Sequence, residues 1–104
     1  MDDIVQGDPK LALVSLRIEL EKTLRAIAEK NNVQFYRCGL GKLASILLND
    51  KLINSDEYAL LRDLIPPLNS AAHGDIDKYS FDSIIWTLEV GVGLLNSMKT
   101  RHEV

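Results

Sequence analysis

A chain of 104 residues, 46% hydrophobic and 26% charged, has room for one modest core and not for two. With 15 acidic against 12 basic residues, its net charge of −3 argues against the broad basic surface that sequence-independent nucleic-acid binders use to displace counterions. One cysteine, Cys38, excludes an internal disulfide and fits a reducing, cytoplasmic setting, and no apolar run approaches the roughly 20 residues that span a bilayer. The opening "MDDIVQGDPK" is acidic and polar, unlike a signal peptide.

The first element is "GDPKLALVSLRIELEKTLRAIAEKNN". Asp8 suits an N-cap and Pro9 the first helical position, where a missing N–H costs nothing. At 100° per residue, Leu13, Leu16, Leu20, Leu24 and Ile27 fall on one face, and Asn31 and Asn32 supply the stop. A second apolar stripe, Leu11, Val14 and Ile18, lies well away from the first. "VQFYRCGLG" reads as a connector with room for a short extended piece. "LGKLASILLND" then reads as a short helix burying Leu40, Leu43, Ile46 and Leu47.

In "NSDEYALLRDLI", Asn54 and Glu57 have capping-box spacing, and Tyr58, Leu61, Leu64 and Ile65 form the buried side. Pro66 and Pro67 predict a kink or break, with a short helix over 67–73 beyond it, closed by Gly74. "DIDKY" makes a loop, and Ser80 caps "FDSIIWTLEVGVGLLNSMKT". Its expected core stripe is Phe81, Ile84, Ile85, Leu88, Val92 and Leu95. On the opposite side, Trp86, Val90, Gly93, Leu94 and Ser97 form a candidate interface, as do Leu11, Val14 and Ile18 on the first helix. Tryptophan is enriched at binding hot spots and glycine admits a close neighbour. Residues 1–104 thus read as one all-α domain, an up-and-down bundle of four to five helices with its core over 8–99.

Few residues are spaced for chemistry. "GLGK" before a helix has the look of a phosphate cradle, but Leu43 stands where that motif needs Ser or Thr, and no strand precedes it. Cys38 has no neighbouring His or Cys, and His73 and His102 show no metal-ligand spacing, so neither metal nor cofactor is expected. Arg17 and Glu21, four apart, make an ordinary helical ion pair or a partly buried carboxylate that orients another polar group. Asn69 and His73, also four apart, place an amide and an imidazole on one helical face. That suits proton transfer near neutral pH; it equally suits a helix C-terminus, where the dipole favours an imidazolium and Gly74 completes the cap.

The order Arg17-x-x-Leu20-Glu21, "GLGKLASIL", "LLRDLIPPLNSAAHG" and a closing amphipathic helix resembles the HEPN superfamily over residues 8–99. The resemblance is nearest to a group whose third long helix ends in Arg-Asn-x-x-Ala-His-Gly. It implies a helical domain that dimerises, often within a bacterial defence or regulatory protein. Catalytic members are metal-independent endoribonucleases with an Arg-x(4–6)-His motif. Asn69, Ala72, His73 and Gly74 match, but Leu68 stands in place of the motif arginine, and Arg62 lies eleven residues before His73. Without that guanidinium, nothing in the motif stabilises charge on a cleaved phosphate. The resemblance therefore implies a non-catalytic interaction or dimerisation domain. The alternatives are an endoribonuclease using a displaced or partner-supplied arginine (Arg17, Arg62 or Arg37, with Glu21 in support) and a module that binds RNA or a nucleotide without cleaving it.

Overall fold

The computed structural model describes residues 8–104; the first seven residues, on which the signal-peptide reading bears, lie outside them. Helix α1 spans Pro9–Lys30. Its start is the one read from the sequence: Asp8 Oδ1 accepts the Lys10 N–H at 2.9 Å, and Pro9 takes the first turn. Leu13, Leu16, Leu20, Leu24 and Ile27 are fully buried. The connector of residues 31–39 contains no strand. Helix α2, Leu40–Asn49, buries Leu40, Leu43, Ala44 and Leu47, with Ile46 half-buried.

Helix α3 spans Ser55–Ala72 and opens with a complete capping box. Glu57 N–H donates to Asn54 Oδ1 at 2.8 Å, and Asn54 N–H donates to Glu57 Oε1 at 2.9 Å. The break expected at Pro66 and Pro67 does not occur: α3 runs through both prolines, and no separate helix begins at 67. The two prolines free the carbonyls of Arg62 and Asp63, one turn earlier. Both residues are exposed, so water can satisfy those oxygens, which limits the penalty that interrupts a buried helix. A 3₁₀ turn, Ile76–Lys78, buries Ile76 against α3, and helix α4, Phe81–His102, starts where Ser80 Oγ accepts the Ser83 N–H at 3.1 Å.

The four α-helices of the described residues end alike. Asn32, Lys51, Gly74 and Glu103 take up the left-handed conformation, with φ between 56° and 75°. In each, the following residue's N–H reaches back five positions: Val33 to Ala28, Leu52 to Leu47, Asp75 to Ser70 and Val104 to Lys99. This backbone closure satisfies last-turn carbonyls, and at the end of α1 the Asn31 side chain also donates to the Ile27 carbonyl at 2.8 Å.

Lys10 meets Asp77 near the start of α1, and Lys30 Nζ donates to the His102 carbonyl at 2.6 Å at its far end, so α1 and α4 run parallel. Glu57 at the start of α3 meets Arg101 at the end of α4, so α3 runs against both. The three long helices thus alternate up, down, up, and α2 and α4 each pack on the α1–α3 pair. The protein is a small all-helical bundle.

The sequence reading of α4 needs correcting by a roll of the helix. Leu88 and Leu95 are buried as expected, but Phe81 is 66% exposed and Ile84, Ile85 and Val92 are only half-buried. The buried stripe is Thr87, Leu88, Gly91, Leu94, Leu95 and Met98. Leu94, assigned above to an interface, belongs to the core. Gly91 explains the roll. A Cβ there would overlap the side chain of Leu16, so the glycine makes room for that leucine of α1 against α4.

Candidate functional site

The lower half of α3 brings together three of the residues singled out in the sequence. Arg17 Nε donates to Asn69 Oδ1 at 3.1 Å, across 52 residues of chain. Arg17 Nη1 lies 3.7 Å from Glu21 Oε2, and Glu21 Oε1 accepts from Arg25 Nη2 at 3.2 Å. Arg25 Nη2 also reaches the Cys38 carbonyl at 3.5 Å, tying the connector to α1. The Arg17 and Glu21 side chains are 28% and 18% exposed, so the ladder runs along the margin of the core rather than in open solvent. Arg17 and Glu21 thus form the i,i+4 ion pair their spacing allows, and the same guanidinium holds an amide on another helix.

His73 is one turn further on, as the C-cap of α3. Its own N–H donates to the Asn69 carbonyl at 3.0 Å, and Gly74, at φ 75°, completes the closure. The imidazole is exposed and makes no hydrogen bond among the described residues. The cap is built by backbone, so the ring is free of that duty. Arg62 is exposed on α3, about 16 Å along the axis from His73 at 1.5 Å per residue. Arg37 lies in the connector with its Cζ 5.3 Å from the Tyr36 ring centroid. Of the three candidate arginines, only Arg17 is joined to the Asn69–His73 turn.

The upper end of α3 holds a cluster that sequence reading missed. Arg101 Nη1 and Nη2 grip the buried Glu57 carboxylate at 2.7 and 2.9 Å, a fork matching both oxygens. Arg101 Nη2 also donates to the Leu52 carbonyl at 3.2 Å, and His102 Nε2 lies 2.9 Å from the same oxygen. The only sequence signal was the capping box at Asn54 and Glu57. Nothing marked Arg101, 44 residues away, as its partner.

The interface candidates divide. Trp86 is 45% exposed, Gly93 and Ser97 are exposed and Val90 is half-buried, so a strip on α4 stays uncovered without Leu94. On α1, Leu11 and Ile18 are 66% and 49% exposed, with Val14 half-buried. Among the described residues no cluster of three His, Cys, Asp or Glu side chains gathers, and no helix is long and apolar enough to cross a membrane. No family model, curated protein or solved structure matches the chain.

Proposed function

We propose that this chain is a HEPN-like interaction domain without catalysis of its own, a cytoplasmic module of a bacterial defence or regulatory protein that docks another protein surface. The uncovered Trp86–Gly93–Ser97 strip carries this reading. A tryptophan left 45% exposed beside small residues on a stripe of about three turns is a ready seat for a partner element. The polar residues of the HEPN-like turn support it from the other side. Arg17 is engaged by Asn69 and Glu21, so its guanidinium is already committed within the fold.

One observation favours a second reading, the endoribonuclease with a displaced arginine. The 3.1 Å bond from Arg17 to Asn69 sets a guanidinium within a helical turn of an unoccupied imidazole. The deciding assay incubates the purified protein with structured and unstructured RNA in the presence of a chelator. Intact RNA is the expected result. Cleavage that survives purification and disappears in both His73→Ala and Arg17→Ala would establish the nuclease and overturn the interaction reading.

A further inference from the structure

The upper end of α3 borders a cleft. It opens where the loop of residues 50–54 meets the end of α4, and its volume of about 680 Å³ is in the range of small-molecule sites. Leu48, Leu52 and Ile53 give it apolar walls. Its polar margin is one-sided. Among the described residues Glu57 is the only carboxylate that lines it, and both of its oxygens are already used. Oε1 accepts from the Asn54 N–H and from Arg101 Nη2, and Oε2 lies 2.7 Å from Arg101 Nη1. Arg101 has donors to spare. Nη2 spends its two hydrogens on Glu57 and the Leu52 carbonyl, which leaves Nε–H and one hydrogen of Nη1 without a partner among the described residues. Lys51 lines the same cleft, whereas its acidic sequence neighbour Asp50 does not, and nor does Asp56.

We propose that this cleft binds a small carboxylic acid with an apolar body, its carboxylate held by Arg101 and Lys51 and its body set against Leu48 and Leu52. The chemistry of the lining selects that class. The donors left over on Arg101 and Lys51 call for an acceptor, and the apolar walls favour a ligand that is more than a bare ion. Charge narrows the class further. With His102 neutral, Glu57, Arg101 and Lys51 carry −1, +1 and +1, a net +1 that one carboxylate balances and a doubly charged phosphate exceeds. Because Arg101 is held by Glu57 and Leu52 before any ligand arrives, little side-chain freedom is lost on binding. This site is separate from the α4 strip and from the Asn69–His73 turn, and it does not rest on the docking role given to the domain.

Two probes of one shape test this, benzoate and the uncharged benzamide, each titrated into isotope-labelled protein and followed by NMR. Benzoate should move the amide resonances of residues 48–57 and 101–102 as one saturable set, with a Kd on the order of millimolar for a ligand of that size. Benzamide should bind about fivefold more weakly, the difference between a charged and a neutral hydrogen-bond acceptor. Lys51→Gly removes the ammonium at φ 61°, where glycine is at ease, so the fold is kept. It should weaken benzoate about two- to fivefold and leave benzamide unchanged. Lys42→Ala, which alters a cation lining a different groove, should leave both probes unchanged. If Lys51→Gly misfolds by circular dichroism, the contrast between the two probes on the wild type still decides. No saturable shift with benzoate, equal affinity for both probes, or shifts centred elsewhere in the bundle would overturn the proposal. So would a folded Lys51→Gly that binds benzoate as the wild type does, or a Lys42→Ala effect of the same size.

Discussion

The two ends of helix α3 are built from similar parts and use them differently. At the upper end Asn54, Glu57, Arg101 and the Leu52 carbonyl saturate one another, and Glu57 alone serves a backbone N–H and a guanidinium. At the lower end the backbone closes the helix through Gly74, Asn69 is taken by Arg17, and His73 is left over. A polar side chain that holds structure is recognised by what it bonds. One that bonds nothing is free for something else, or for nothing. The contrast predicts a descending series of effects along one helix.

The largest effect belongs to the upper end. Glu57→Ala removes the reciprocal half of the capping box and leaves Arg101 without its carboxylate, at a residue only 7% exposed. A loss of about 2–4 kcal/mol is expected by chemical denaturation, the range for a cap and a partly buried charged pair together. Arg101 is itself 43% exposed, so solvent screens it and the figure stays below that of a fully buried pair. A loss under about 0.5 kcal/mol, the level of an ordinary surface change, would contradict the role given to this cluster.

Next in size is Gly74→Ala. At φ 75° an alanine pays the left-handed penalty of about 1–2 kcal/mol, while no atom crowds the new methyl group. Thermal unfolding should show a drop of several degrees, and an unchanged midpoint would mean that α3 ends differently in solution. Asn69→Ala should cost about 0.5–1.5 kcal/mol, the net worth of one hydrogen bond. If Arg17→Ala and the double variant are measured too, the coupling isolates that bond. Additive losses would show that the 3.1 Å contact carries no energy.

Much of the fold could be read from short-range signals. Asp8–Pro9, the leucine stripe of α1 and the Asn54–Glu57 box all act within a few residues, and each appears where it was expected. The errors arose where the outcome depends on a distant neighbour. The proline pair looked like a break because the cost of freed carbonyls depends on whether they face water, and those of Arg62 and Asp63 belong to exposed residues. On α4 the buried stripe lies about 70° around the helix from the bulky stripe expected, at 3.6 residues per turn. The bundle instead turned a glycine, Gly91, toward Leu16. Of the candidate site, the i,i+4 pairs Arg17–Glu21 and Asn69–His73 were visible in spacing. The bond between the two pairs was not, since it joins helices separated by the whole of α2.

The smallest expected effect is at His73. Its ring makes no hydrogen bond among the described residues, and the closure of α3 needs only its backbone. His73→Ala should therefore change stability by no more than about 0.5 kcal/mol, as for an ordinary surface position. Any contribution from the helix dipole would add only about 0.3–1 kcal/mol at low ionic strength and would fade with salt. Measuring His73→Ala by denaturation at low and high salt separates these cases. A loss that vanishes with salt assigns the imidazole to the dipole, whereas a loss above about 1 kcal/mol at both would mean that the ring packs or bonds in solution. No loss at either would leave a histidine that structure does not require, one turn from a tethered arginine. That result would make the RNA assay the more telling experiment, because any activity lost in His73→Ala could then not be attributed to unfolding.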